Sequence, residues 1–261
     1  VTGVQTCALP ISAAGRLAGP GAAGAALGAV GELAALGLLL ADRDPATRAA
    51  ASLWARALVP GILAVAAGLA LTGFGHVRPS GATEGLATAC FALGFAAKMA
   101  LVPLYFWLPA VARRASATSL LLIAVVIDTG VAADLAELGD VAPWLFADHR
   151  GLWIGLAAAS LLGGAVLAIA ERDLKAIVAF TGVVDGGFLI LGVAAADPMV
   201  REGVWFAILG QAFAKAALFG AVAVAERVTG AAPSIDTTRG LACRLPVASG
   251  VFMVEIGRAH V

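Results

Sequence analysis

The sequence predicts an all-α fold: a polytopic transmembrane helix bundle of about seven complete spans plus a truncated eighth, with a proline-broken helix near Pro103. Three observations lead there. Of 261 residues, 61% are hydrophobic and only 13% charged, about half the charged share of a soluble domain. Apolar runs of spanning length recur without the polar face that a surface helix of a soluble all-α protein needs. Basic residues gather in alternate connections between those runs. The 32 glycines and many alanines suit helices that pack closely in lipid through small residues. The formal net charge is zero, so no nucleic-acid partner and no polybasic surface is indicated.

Taken in order, the spans fall at about 17–41, 51–74, 85–108, 116–135, 151–170, 176–196 and 203–225, and an eighth begins near 246. Asp42-Arg43-Asp44-Pro45 ends the first and caps the second, since proline suits a first helical turn. The longer connections are 75–85, 134–150 and 226–246. The acidic one, holding Asp134, Glu137, Asp140, Pro143 and Asp148, reads as a loop with a short helix. In the third span Pro103 and Pro109 bracket Leu104-Tyr105-Phe106-Trp107-Leu108, five residues after Lys98. A proline there frees a carbonyl and breaks the helix, and broken helices at membrane depth line cavities or bind ions. A plain helix end with an interfacial Tyr105/Trp107 belt is the competing reading. There is no obvious internal repeat and no soluble domain.

Connections 42–50, 109–115, 171–175 and 226–245 carry Arg43, Arg48, Arg113, Arg114, Arg172, Lys175, Arg227, Arg239 and Arg244. The alternate ends carry Arg16, Arg78, Arg150 and Arg201, so the count is nine against four. This bias places the first set in the cytoplasm and starts the chain on the outer side, with its first helix running inward.

Five ionisable residues lie deep in these spans: Glu32, Lys98, Asp128, Asp185 and Lys215. Each charge at the centre of a spanning helix costs about 2.5–3.5 kcal/mol on insertion scales, roughly 15 kcal/mol for the five. Such a set marks an ion or proton path. Glu32 stands ten residues before Asp42, about 15 Å into the bilayer. Lys98 stands fourteen residues after Glu84, at a comparable depth. A buried lysine gives up its proton more readily once desolvated and holds it beside a carboxylate, so moving Glu32 relative to Lys98 would switch the lysine. A fixed ion pair that only joins two helices is the structural alternative. Asp173 and Lys175 sit at the boundary and read as anchors or intake residues, and His76 and His149 as solvated loop histidines.

The two ends stand apart. Val1–Ile11 and Ile256–Val261 resemble translated sequencing-library adapter in the two expected orientations. Residues 1–11 and 256–261 are therefore expected to be artefact, and 12–255 an internal fragment of a longer transmembrane protein. With Cys7 set aside, Cys90 and Cys243 remain, with no metal spacing and no disulfide framework; both are expected to be packing residues.

Lys98-Met-Ala-Leu-Val-Pro103-Leu-Tyr-Phe-Trp107-Leu-Pro109 resembles the signature of the antiporter-like membrane subunits of respiratory complex I, of membrane-bound hydrogenases and of multisubunit cation/proton antiporters. Gly31-Glu32-Leu33 is similar to the family's glutamate helix. Arg172-Asp173-Leu174-Lys175, Gln211-Ala-Phe-Ala-Lys215-Ala-Ala-Leu-Phe219 and Arg239-Gly-Leu-Ala-Cys-Arg-Leu-Pro246 are similar to three later family motifs, in the family's order. The resemblance implies a fold of about fourteen helices with a broken-helix repeat, of which this chain would be the middle. It implies proton translocation along a polar axis, driven by redox chemistry in other subunits, with Glu32 the modulating acid, Lys98 the proton holder and Lys215 a relay residue. It also implies a prokaryotic inner-membrane location.

Departures from the pattern are Asp128, where the family often carries Lys or His, Asp185 for a common His or Gln, and Tyr105 for the signature His. Asp128 could pair with Lys98 or act as a carboxylate relay, and Asp185 as a further relay. No nucleotide loop, cysteine cluster or metal-ligand set occurs, so this chain is expected to bind no cofactor and redox cofactors to sit in partner subunits. The expected partners are other membrane subunits, the lipid bilayer and the transported ion, a proton or Na⁺. A non-redox subunit of an oxidoreductase complex, a subunit of a Na⁺(K⁺)/H⁺ antiporter, and an assembly subunit with an inactive channel are the three readings left open.

Overall fold

The fold was analysed in a computed structural model, which describes residues 22–195, 197–230 and 234–236 and scattered positions between 243 and 253. The adapter-like ends, most of the eighth span and most of the Arg239–Pro246 motif lie outside the described residues. The helices are α1 (Ala22–Leu40), α2 (Pro45–Leu71), α3 (Ala82–Lys98), α4 (Trp107–Arg114), α5 (Ala117–Leu121), α6 (Asp128–Val141), α7 (Pro143–Ala147), α8 (Arg150–Ala170), α9 (Leu174–Ala194) and α10 (Pro198–Thr229). A 3₁₀ turn, Leu104–Phe106, precedes α4, and a π-helical turn, Leu122–Ile127, joins α5 to α6.

Among the described residues, five helices are long and apolar enough to cross a membrane: Pro45–Leu71, Ser119–Val141, Arg150–Ala170, Leu174–Ala194 and Met199–Thr229. With α1 and the broken pair α3/α4 they make up the seven predicted spans.

Charged caps open three of the helices, the first of them at the Asp42–Pro45 break that the sequence marks. Asp44 accepts from the N–H groups of Ala46 (3.2 Å) and Thr47 (3.0 Å), with Pro45 in the first turn. Asp173 does the same for α9 through Lys175 N and Ala176 N, and Asp197 for α10 through Met199 N and Val200 N. Gly230, at φ 66°, closes α10 in the left-handed conformation that glycine adopts without cost.

Two hairpins frame the molecule. α2 packs on α3 and α8 on α9, and α4 lies between α2 and α9. α1 covers α2, while α10 packs against α9 and the α5–α6 helix. The hairpins are close because each crossing is lined by glycine. A Cβ on Gly94 would stand 2.6 Å from Val65 Cγ2, and one on Gly187 would stand 2.9 Å from the Ala157 carbonyl.

Two sequence expectations are corrected. Asp134, Glu137 and Asp140 are not in a loop: α6 runs on to Val141, because nothing breaks it before Pro143. An acidic composition had the look of a connection, but helix periodicity continues with Val131, Leu135 and Leu138 buried. Lys98 is not midway along a helix but is the last residue of α3, five residues before Pro103. The helix ends ahead of the proline because Ala100 takes a left-handed turn (φ 53°) and Leu101 N–H returns to Ala96 O at 2.9 Å, a Schellman-type stop.

Candidate functional site: two lysine–carboxylate clusters

The break in the third span is supported from three sides. Trp107 is buried, and its indole N–H donates to Ala97 O at 2.9 Å, a carbonyl of the last turn of α3. Val102 N–H, just past the turn, donates to Ser160 Oγ on α8 at 3.1 Å. Gly186 on α9 leaves room for Leu101, whose Cδ2 would lie 2.7 Å from an added Cβ. Trp107 thus belongs to the break rather than to an interfacial belt. Tyr105 meets Phe180 at a ring distance of 6.1 Å.

This scaffold fixes Lys98 at the C-terminal, negative end of α3, where a cation is favoured. Its Nζ is 2.8 Å from Glu32 Oε1, and both side chains are almost fully buried (5% and 6% exposed). Glu32 Oε2 is buried and has no hydrogen-bond partner among the described residues. The lysine stem is wedged against α2, since a Cβ on Gly61 would come within 2.8 Å of Lys98 Cγ. The expected Glu32–Lys98 pair therefore forms.

The other three expected residues come together in a second cluster. Lys215 Nζ on α10 is 2.5 Å from Asp128 Oδ2 at the start of α6 and 3.9 Å from Asp185 Oδ2 on α9. The sequence left Asp128 to pair with Lys98 or to act as a relay; the lysine it bonds is Lys215, not Lys98. The π-helical turn ends immediately before Asp128, and such turns re-aim the side chains that follow. Gly182 lines the cavity beside Lys215, and an added Cβ would stand 3.8 Å from Nζ, at ordinary contact distance.

A cavity of about 30 Å³ joins the clusters, lined by Lys98, Asp128 and Lys215 among apolar walls that include Trp54, Trp107 and Phe219. That is room for about two water molecules beside polar partners. The arrangement can pass a proton between two lysine–acid groups across a short, water-sized gap.

Other expectations fare differently. Lys175, weighed as a boundary anchor or intake residue, is buried and donates to Ala115 O and Glu226 Oε1, each at 3.2 Å. His149 is not simply a solvated histidine: Nε2 lies 3.5 Å from Glu84 Oε1, while His76 is exposed. Cys243 is exposed rather than packed, and Cys90 half-buried. At the end of the molecule holding His149, Arg78 bridges Glu84 (2.9 Å) and Asp148 (2.6 Å), and the Glu84 hydrogen bond holds its guanidinium above the ordinary value. At the basic end, burial pushes the Glu171 carboxyl up. Hydrogen bonds from the Arg172 and Asp173 amides and from Arg113 outweigh that and hold it below the ordinary value.

Sequence reasoning missed Gly61, Ser160, Gly182 and Glu226. Glu226 had a signal: it stands eleven residues after Lys215, on the same helix face. Ser160 and Gly182 had none, because each matters through a neighbour distant in sequence.

Residues 60–257, more than half the chain, match the family described as NADH:quinone oxidoreductase/Mrp antiporter, TM. The chain belongs to that family. It is an integral membrane, antiporter-like member, as the motifs around Lys98 and Lys215 imply. NADH-quinone oxidoreductase subunit N of Rhodococcus opacus (strain B4) is 28% identical over 168 residues, which are 64% of this chain and 31% of the relative. Subunit N 2 of Solidesulfovibrio magneticus is 31% identical over 189 residues, 72% of this chain and 39% of the relative. The chain thus spans about a third of the length of the curated relatives it matches. Among solved structures, respiratory complex I from Thermus thermophilus with bound NADH contains a chain of TM-score 0.74 and 25% identity, covering 90% of this chain and 54% of that one. The Mrp complex from Dietzia sp. DQ12-45-1b contains one of TM-score 0.70 and 22% identity, covering 81% and 42%.

Proposed function

We propose that the protein moves protons across a prokaryotic inner membrane through Glu32, Lys98, Asp128, Lys215 and Asp185, as a non-redox subunit of a redox-driven complex. One observation carries the reading: a cavity lined by Lys98, Asp128 and Lys215 lies between two lysine–carboxylate clusters. In its resting arrangement Lys98 holds its proton beside Glu32. Drawing α1 away from α3 would leave the lysine desolvated and without its carboxylate, so that it releases the proton into the cavity. Asp128 and Lys215 then receive it, and Asp185 offers a second carboxylate on the far side. Redox cofactors belong to partner subunits. The basic residues put the end with Arg113, Arg172 and Lys175 in the cytoplasm.

The family description and the Mrp likeness support a second reading, a subunit of a Na⁺(K⁺)/H⁺ antiporter without redox chemistry. The deciding experiment reconstitutes the assembled complex in vesicles and follows internal pH with and without Na⁺. Loss of proton movement in Lys98→Ala, with no effect of Na⁺ on the wild type, supports the redox-driven pump. Transport that requires Na⁺ and no electron donor supports the antiporter. Unchanged proton movement in Lys98→Ala and Glu32→Ala would leave only the inactive-channel reading.

A further inference from the structure

α9 and α10 carry two facing stripes with the same chemistry at both ends. On α10, Lys215, Phe219, Val222 and Glu226 are spaced four, three and four residues apart, and so share one face. On α9, Lys175, Val178, Gly182 and Asp185 form the facing stripe. At the inner end the acid Asp185 is on α9 and the lysine on α10. At the basic end the roles are exchanged, with Lys175 on α9 pairing with Glu226 on α10 at 3.2 Å. Eleven residues of helix set the two pairs about 16 Å apart. The cavity covers part of that distance, because Val178, three residues past Lys175, already lines it, as do Gly182 and Phe219.

Lys175 is poorly placed for an anchor. A boundary lysine normally snorkels its ammonium group to water, yet this side chain is 4% exposed and turned inward, while that of Glu226 is 33% exposed. It also stands in the first turn of α9, where the helix dipole opposes a cation. Two acceptors, Ala115 O and Glu226 Oε1, serve its three N–H donors among the described residues.

We propose that Glu226 and Lys175 form the proton intake of this relay at the basic end; the proposal rests on the translocation reading above. Glu226 takes a proton from solvent. Lys175 passes one of its own inward, past Val178 and Phe219, to a Lys215 that has already given its proton to Asp185. The Glu226 carboxyl then restores the Lys175 proton, so the charge of the pair is unchanged over a cycle.

The test uses the full-length protein in its assembled complex, reconstituted in vesicles, and reads proton uptake from the basic side. Lys175→Arg keeps the charge and the hydrogen bonds to Glu226 and Ala115 but cannot release a proton. Uptake on the order of tenfold slower or worse, with the yield of complex unchanged, is expected. Uptake at the wild-type rate in Lys175→Arg would overturn the intake and leave a structural pair. If that variant fails to assemble, Glu226→Gln reads the same step: slowed uptake supports the proposal and a wild-type rate overturns it. Lys98→Ala, run in parallel, separates the two levels. If it abolishes transport while Lys175→Arg does not, only the intake fails; if it too leaves transport intact, the translocation reading fails.

Discussion

The Glu32–Lys98 pair and the Asp128–Lys215–Asp185 cluster use the same two functional groups in different proportions. The first is one acid to one base, nearly dry, with its lysine at the end of a broken helix. The second is two acids to one base, on helices that run through, with carboxylates 22% and 28% exposed. A one-to-one pair is neutral in total whether its proton sits on the lysine or on the acid, so it must be pulled apart to release a proton outward. Two carboxylates around one lysine carry a net negative charge when all are ionised. They therefore hold a place for an extra proton without any separation. On the proposed translocation the first cluster would serve as a switch and the second as a receiver.

The largest effect is expected at the switch. Lys98→Ala leaves Glu32 buried without its cation, a loss of about 3–5 kcal/mol in stability together with loss of proton movement. Thermal unfolding of the purified complex and vesicle pH measurements check both. Lys98→Ala that assembled with unchanged stability would mean that the pair is not the isolated unit drawn above.

Next comes the asymmetry inside the receiver. Asp128→Asn takes the charge off the acceptor of a 2.5 Å hydrogen bond from Lys215, for which a loss of up to about 1.5–3 kcal/mol is expected. Asp185, at 3.9 Å, makes only a through-space contribution, so Asp185→Asn should cost clearly less in stability. Turnover-linked proton uptake of the two variants should fall in the same order. Equal losses would show that both acids carry the proton in turn.

A steric variant sharpens the contrast between the clusters. Gly61→Ala forces a methyl group against Lys98 Cγ and the Gly94 carbonyl, an overpacking cost of about 1–3 kcal/mol. Gly37→Ala on α1 meets nothing within 4 Å and should be neutral or stabilise by about 0.5–1 kcal/mol. A pair of unfolding curves settles it, and Gly61→Ala should slow transport where Gly37→Ala does not.

The smallest effect is a pH dependence at the surface, where a carboxylate is held by hydrogen bonds instead of a lysine. The Thr47 hydroxyl, then the Thr47 and Ala46 amides, hold Asp44 below its ordinary value of 3.8. A lowered acid contributes fully above the unfolded value and loses that contribution as pH falls through the folded one. Amide protection in the first turn of α2, taken relative to the unstructured-chain rate at the same pH, should therefore fall as pH drops below about 4, and in Asp44→Ala it should be low throughout.

Much of this was legible in the sequence because membrane helices are written in composition. Spans, the cap at Asp44 with Pro45 behind it, and the alternation of basic ends all follow from local rules. So did the five charges within the spans, since each stands alone in an apolar run. The α6 extension was misread for the same reason in reverse: three acids within seven residues outweighed a periodicity that Val131, Leu135 and Leu138 preserve.

By itself, then, the sequence determined the class of fold and which side chains are too costly to be ornamental, because hydropathy and charge act residue by residue. Which acid meets which base was decided only in three dimensions. Lys215 lies 87 residues from Asp128 and Lys175 lies 51 from Glu226. Such pairings depend on how α9, α10 and the α5–α6 helix cross, on a π turn that aims Asp128, and on glycines that let backbones approach. No local propensity encodes a contact between helices whose packing faces are equally apolar, so the pairing waits for the tertiary structure.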